Sequence, residues 1–197
     1  MKKIMFNEPC GLQKAVLNKR KPKTRRGIPK RLLDKAHLMQ MKGLSTVEEY
    51  LKLVAPYQIG DVVAISQRYS ELFTKEDLYD CEDIFKIKYE KFVKGWNNKM
   101  FVVAELMPHH IRILDVKVEH LQDISDEDCL KEGIYYRDDI ITHNLEYVVA
   151  YAYERNGKEK LFLTPREAFA SLIDATSGKG TWERNPLVYV YEFELVD

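Results

Sequence analysis

Apolar and polar positions alternate in several short stretches of the chain, and this pattern predicts β-strands. Residues 62–66 form a β-branched run directly after a turn signal at Gly60. The stretches KMFVVAEL, residues 99–106, and IRILDVKVEHL, residues 111–121, are predicted as the next strands. The stretch LVYVYEFELV, residues 187–196, alternates over most of its length and predicts a long terminal strand.

Two local signals refine the strand pattern. Asn156 and Gly157 lie between two strand-like arms and predict a tight hairpin turn. Within residues 111–121 the apolar alternation shifts by one position between Ile113 and Val116. This phase shift predicts a β-bulge, which bends a strand as a small closed barrel requires.

Capping signals predict helices between these strands. Each signal is a Ser or Thr followed three residues later by an acidic residue, with a proline or glycine at the far end. The predicted helices, given by cap and stop residue, run from Ser45 to Pro56, from Ser125 to Gly133 and from Thr164 to Gly178. Short strands separated by capped helices predict an α+β fold, a small mixed β-barrel decorated with short helices, in a single domain over residues 1–197.

Composition supports a folded chain without a membrane span. Hydrophobic residues make up 45% of the 197 residues, which is enough for a core despite the 31% that are charged. The apolar opening of the chain is broken by Asn7 and Pro9, and no stretch has the length of a membrane span, so we expect neither a signal peptide nor a membrane partner. Three widely spaced cysteines indicate the cytoplasm, and the sequence leaves the oligomeric state open.

Charge is concentrated in residues 19–31, KRKPKTRRGIPKR, which hold eight basic side chains and no acidic one. The rest of the chain has 23 basic and 31 acidic residues, a net charge of −8. Such a run is typical of a solvated loop, a nucleic-acid surface or the rim of a site for an anionic ligand. We favour a confined phosphate or nucleotide site, because the acidic remainder discourages broad adhesion to nucleic acid.

Four stretches in this order resemble the ASCH-domain family. KRKPKTRR is similar to the family's GRKTxTRR signature, and IGDVVAI to the strand that follows it. LMPHHIRILDVKVEHLQDISDEDCLKEGI resembles the central strand and helix, and TWERNPLVYVYEFELV the closing strand. Lys19 departs from the signature's glycine and Pro22 from its small hydroxyl residue. The likeness covers roughly half of the chain and is greatest to ASCH-type proteins of phages and prophages.

The resemblance implies a PUA-like β-barrel, a fold associated with binding RNA or modified nucleobases. Some compact members of the family are amidohydrolases that remove the acetyl group from acetylated cytidine. Residues near 31–56, 66–98 and 135–180 would then be insertions. Residues 70–99 are acidic and are predicted to be irregular.

Carried over from the family signature, the catalytic residues are Lys21, Thr24 and Glu132. A threonine hydroxyl is a weak nucleophile that needs a base, and a lysine among other cations has its pKa lowered and can act as that base. In the alternative interpretation these are three common polar residues, and Thr24 only caps a turn. A recognition pocket would use the same residues without turnover.

A second set of side chains is predicted to contact a nucleic acid or nucleotide: Arg20, Lys23, Arg25, Arg26, Trp182 and Asn185. The basic residues would hold phosphates, and Trp182 with Asn185 would stack on and read a base. The alternatives are a solvated basic loop and, at Trp182 and Asn185, core packing and a turn.

No metal site is expected, because the adjacent His109 and His110 point to opposite faces of a strand and no carboxylate or cysteine follows at ligand spacing. No cofactor is expected either. RNA or nucleotide binding is the favoured function. An amidohydrolase acting on acetylated cytidine is the first alternative, and a phage protein that binds a host protein through its insertions is the second.

Overall fold

The computed structural model describes residues 1–141 and 147–196, and it is an α+β protein. Its strands are β1 (Lys2–Ile4), β2 (Lys23–Gly27), β3 (Val62–Ile65), β4 (His110–His120), β5 (Tyr135–Ile141), β6 (Tyr147–Arg155), β7 (Lys158–Phe162) and β8 (Leu187–Leu195). Its helices are α1 (Leu12–Leu17), α2 (Lys30–Met41), α3 (Val47–Leu53), α4 (Tyr69–Leu72), α5 (Lys75–Tyr79), α6 (Cys81–Ile84), α7 (Tyr89–Asn97), α8 (Asp126–Lys131), α9 (Pro165–Ser177) and α10 (Thr181–Arg184). Short 3-10 turns cover Ala104–Leu106 and Leu121–Asp123.

The chain divides into two compact units. The first comprises residues 1–6, 62–112 and 195–197, and the second comprises residues 7–61 and 113–194. Among the residues that the structure describes, no helix has the length and apolar character needed to cross a bilayer.

In the first unit, β3 lies between β1 and the start of β4. It pairs in parallel with β1 and antiparallel with β4, where Ala64 faces His110. Helices α4 to α7 follow β3 and bury an aromatic core, in which the Tyr69 and Phe92 rings stack with centroids 4.3 Å apart. Gly95 lets α7 approach this core, because a Cβ there would lie 2.5 Å from the Tyr69 ring. The region 70–99, expected to be irregular, is largely helical.

In the second unit, β8 lies between β2 and the part of β4 that belongs to this unit. Strands β5, β6 and β7 form a separate antiparallel sheet. Helix α9 packs its apolar face, including Phe169 and Leu172, into a core shared with Tyr153, Val188 and Val190. Both faces of β8 are buried around residues 188–191, as in a strand that is covered on both sides.

Several predicted elements are confirmed. β3 covers residues 62–65, and β6 and β7 form the expected hairpin with Asn156 and Gly157 at positive φ. Helix α9 begins after Thr164, whose hydroxyl accepts a hydrogen bond from Glu167 N, and Ser125 caps α8 in the same way. The burial pattern of β4 follows the phase shift seen in the sequence, since Ile111, Ile113 and Val116 are buried, and the β-bulge stays a prediction.

Other predictions are wrong in detail. Residues 99–106 do not form a strand, because the backbone carbonyls of Met100 and Val102 accept hydrogen bonds from the Lys3 amine. A 3-10 turn follows at Ala104–Leu106. Helix α3 is capped by Thr46 and Glu49, one residue later than expected, since these two side chains bond each other's backbone N–H.

The basic run contains a strand, β2, that the hydropathy pattern does not indicate. Neither sheet within residues 1–141 and 147–196 closes into a barrel.

Candidate functional site

Strand β2 divides the basic run into two sets of side chains. Successive residues of a strand point to opposite faces, so Lys23 and Arg25 lie on one face and Thr24 and Arg26 on the other. The strand pairs antiparallel with β8, where Thr24 faces Tyr191 across the ladder. The two faces have different electrostatic surroundings.

On the first face, three cations meet three carboxylates in what we call the ion-pair cluster. Its members are Lys21, Lys23, Arg25, Glu119, Asp128 and Glu132. The Lys21 amine donates to Glu132 Oε2 at 2.5 Å, to the Glu132 carbonyl at 2.9 Å and to the Lys23 carbonyl at 2.8 Å. Three donated hydrogen bonds require the ammonium form, because a neutral amine has only two N–H groups.

Arg25 links the carboxylates of the ion-pair cluster. Its Nη1 donates to Glu132 Oε1 at 3.0 Å, and its Nε and Nη2 donate to Glu119 Oε1 at 3.0 and 2.6 Å. Asp128 accepts from Lys23 at 2.9 Å and contacts Arg25 at 3.4 Å. The side chains of Lys21 and Arg25 are each 1% exposed and that of Glu132 is 4% exposed, so these charges are compensated by one another rather than by water.

Glu132 reaches the cluster because of the way α8 ends. It is the C-cap residue of the helix, and Gly133 follows with φ +104°. A Cβ on Gly133 would lie 3.1 Å from Leu12 Cδ2 and 3.5 Å from Lys21 Cδ. Glycine at this position therefore permits both the backbone turn and the close approach of Leu12, whereas the distance to Lys21 is an ordinary van der Waals contact.

Burial sets the electrostatics of the cluster. Burial lowers the pKa of Lys21, and the charge and hydrogen bond of Glu132 oppose that shift. The pKa of Asp128 is lowered. Burial alone would raise it, but the hydrogen bond and charge of Lys23, followed by the charge of Arg25, outweigh the effect of burial. Perturbed, buried ionisable groups are concentrated at functional sites, although structural ion-pair networks produce them as well.

On the second face, Thr24 and Arg26 lie with two tyrosines, a set that we call the Thr24 face: Thr24, Arg26, Tyr57 and Tyr191. The Tyr57 and Tyr191 rings meet edge to face with centroids 5.2 Å apart. Burial lowers the pKa of Arg26, and the nearby Tyr57, Glu132 and Tyr191 act against that shift. Burial also raises the pKa of Tyr57. Thr24 and Tyr191 are buried, whereas Arg26 and Tyr57 are half-buried. The second face therefore combines a hydroxyl, a guanidinium and aromatic rings, and its partly exposed members are Arg26 and Tyr57.

The structure brings together two of the three predicted catalytic residues. Lys21 and Glu132 are in direct contact, whereas the hydrogen bonds of the Lys21 amine go to Lys23 and Glu132 and none goes to Thr24. Glu119, Asp128 and Tyr57 were not among the predicted residues. Asp128 carries a recognisable signal, since it lies four residues before Glu132 and so shares its side of α8.

The predicted nucleic-acid residues lie in different surroundings. Lys23 and Arg25 belong to the ion-pair cluster, and Arg26 belongs to the Thr24 face. Arg20 is exposed, with its guanidinium 5.4 Å from the centroid of the Tyr135 ring.

Trp182 and Asn185 lie at the turn before β8. The Trp182 ring packs edge to face on Phe169 at 6.0 Å, and Arg166 lies 5.2 Å from its centroid. Asn185 adopts φ 43°, and its side-chain oxygen accepts a hydrogen bond from Gln122 N at 2.7 Å. These contacts fit the alternative in which Trp182 serves core packing and Asn185 makes a turn.

Comparison with known proteins adds no assignment to this geometry. No family model, curated protein or solved structure matches the chain. The ASCH resemblance, with the PUA-like topology that it implies, therefore stays a prediction.

Proposed function

We propose that this chain is an ASCH-type, PUA-like module that binds RNA or a nucleotide through the Thr24 face of β2. The observation that supports the proposal is the position of Arg26, partly buried beside the rings of Tyr57 and Tyr191. A guanidinium can bond a phosphate or a base edge through two parallel N–H groups, and aromatic side chains stack on unpaired bases. The Thr24 hydroxyl lies on the same face but is buried, so the half-buried Arg26 and Tyr57 supply the first contacts with the ligand.

Within this proposal the members of the basic run have different tasks. Lys23 and Arg25 hold β2 in position through the ion-pair cluster, since their charges are already compensated there. Arg26 contacts the ligand, and the exposed Arg20 supplies a weaker phosphate contact. The site is confined, as expected for a chain that is acidic outside the basic run.

The test compares Arg26→Gln with Arg31→Gln by calorimetry with nucleoside monophosphates and by fluorescence anisotropy with a short RNA. Arg31 is exposed on α2, so its variant is a control for loss of one guanidinium charge. We expect Arg26→Gln to weaken binding at least about tenfold, the loss typical of a charged hydrogen-bond donor, and Arg31→Gln to bind as the wild type does. Absence of binding to every probe at low salt by nucleic-acid-free protein would refute the proposal.

A second candidate, amidohydrolysis of acetylated cytidine, is favoured by the buried contact between Lys21 and Glu132 and by the lowered pKa of Lys21. In this reaction Thr24 Oγ1 attacks the acetyl carbonyl, and neutral Lys21 accepts the hydroxyl proton. Lys21 then returns that proton to the exocyclic nitrogen as the C–N bond breaks and cytidine leaves. Water hydrolyses the acetyl ester of Thr24 to acetate. The step requires Lys21 to lose one proton from its ammonium form and to exchange one of its present partners for Thr24.

The enzyme candidate is tested by incubating the protein with acetylated cytidine and separating cytidine by chromatography. Thr24→Val removes the hydroxyl and nearly preserves the side-chain volume, so it should abolish turnover while binding is retained. The rate should fall as the pH drops through the pKa of Lys21, because the base must be neutral. Wild-type protein that binds acetylated cytidine without releasing cytidine eliminates the enzyme and leaves the binding module.

A further inference from the structure

A groove of about 530 Å³ lies along α7 in the first unit. Its lining consists of Lys86, Ile87, Lys88, Glu90, Lys91, Lys94 and Phe101. Phe92 anchors the opposite side of α7 in the aromatic core, so the helix presents Lys91 and Lys94 on its outer side. The groove thus has four amines and one carboxylate on a helix that its own core supports.

The positive charge of this groove is only partly compensated, since Glu90 lines the groove and Lys91 lies near Glu105. Within residues 1–141 and 147–196, the amines of Lys86, Lys88 and Lys94 form no ion pair. Lys3 lies near Lys91, since burial and the charge of Lys91 lower its pKa. Like charges that face each other across a concave surface attract a polyanion.

The sequence around α7 is segregated by charge. Residues 71–83 contain six acidic residues and one basic, whereas residues 86–99 contain five basic and one acidic. The groove is formed by the second stretch. Taken together the two stretches are nearly neutral, so the net charge of the whole region does not reveal the basic stretch.

Phe101 supplies the groove with an aromatic surface. The side chain is 44% exposed, and it also lines an adjoining groove of about 410 Å³ with Lys3, Lys91 and Met100. Lysine amines for phosphates beside an exposed ring for bases are the elements with which proteins bind single strands without reading their sequence.

We propose that the groove along α7 binds the backbone of single-stranded nucleic acid, with Lys86, Lys88, Lys91 and Lys94 on phosphates and Phe101 stacked on a base. This site is distinct in its residues from the Thr24 face, so it goes beyond the proposed function and does not depend on it.

The experiment measures binding of fluorescein-labelled twelve-residue oligouridylate and oligothymidylate by anisotropy at several salt concentrations. The test variant carries Lys86→Ala, Lys88→Ala, Lys91→Ala and Lys94→Ala. The control carries Lys30→Ala, Lys42→Ala, Lys158→Ala and Lys179→Ala, which remove the same charge from exposed positions outside the groove. Circular dichroism melting verifies that both variants fold.

We expect the test variant to lose at least about tenfold in affinity at low salt while the control loses less than about threefold. The slope of log affinity against log salt should become shallower by about 2 to 3 in the test variant, at about 0.7 per lost phosphate contact on a single strand. Phe101→Ala should weaken binding at least about fivefold without changing that slope.

Three outcomes overturn the inference. The first is an equal loss of affinity in the test and control variants, and the second is the absence of oligonucleotide binding by the wild type at low salt. The third is displacement of the oligonucleotide by polyglutamate of equal charge, together with an unchanged affinity of the Phe101→Ala variant. The Arg26→Gln variant separates the two proposals. If it binds oligonucleotides as the wild type does while the α7 variant does not, the groove is supported and the Thr24 face is not.

Discussion

The basic run and the lysines of α7 are two cationic segments in opposite settings. Lys21, Lys23 and Arg25 are neutralised by Glu119, Asp128 and Glu132 and are largely withdrawn from water.

Lys86, Lys88 and Lys94 form no ion pair in the described part of the chain and face solvent along a groove. The denser cluster in the sequence is thus the one with less charge available to a ligand. Local charge density in a sequence predicts the number of cations, whereas long-range partners decide which of them can bind an anion.

The largest expected effect comes from removing one cation from each segment. Lys21→Met leaves Glu132 buried without its closest cation and should lower the free energy of unfolding by about 3 to 5 kcal/mol. Lys91→Met removes an exposed amine and should change stability by less than about 0.5 kcal/mol. Urea unfolding followed by circular dichroism measures both. Equal effects of the two variants would show that the distinction between the segments is wrong.

Several of the strands and capped helices were accessible from the sequence because their signals are local. The hydroxyl cap at Thr164 and the turn at Asn156 and Gly157 act over four or five residues, and both predictions are confirmed. The strand β2 was missed because its side chains are charged on both faces. Their partners, such as Glu132, lie more than a hundred positions away.

The candidate site was accessible only in part for the same reason. Lys21 and Glu132 follow from the family signature, and the structure places them in contact. Glu119 and Tyr57 belong to no local pattern, since β4 and the segment after α3 bring them to β2 only through tertiary packing.

A second prediction, with a smaller expected effect on stability, tests how the turn after α8 positions Glu132. Gly133→Ala forces a side chain into a backbone with φ +104° and places its Cβ 3.1 Å from Leu12 Cδ2, so it should cost about 1 to 3 kcal/mol. Gly27→Ala is the control, because a Cβ there meets nothing within 4 Å and its φ is not positive. Chemical denaturation of both variants measures the difference. A loss at Gly133 no greater than at Gly27 would mean that the turn after α8 is not constrained.

The smallest effect concerns the pH dependence at the rim of the ion-pair cluster. The pKa of Asp128 is lowered in the fold, so its contribution to stability is present above the ordinary aspartate pKa of about 3.9 and is lost as the pH falls through the folded value. Asp128 is partly exposed, which limits its ion pairs to under about 1 kcal/mol.

Asp128→Asn should therefore be less stable than the wild type at pH 7, and the gap should close as the pH falls below the ordinary aspartate pKa of about 3.9 and through the lower folded pKa. The measurement is urea unfolding from pH 7 down to about pH 2, with Asp34→Asn on exposed α2 as a control for the loss of one surface carboxylate. A gap for Asp128→Asn that stays constant down to about pH 2 would contradict the prediction, because it would mean that the ionised form of Asp128 gains nothing from Lys23 and Arg25 in the folded state.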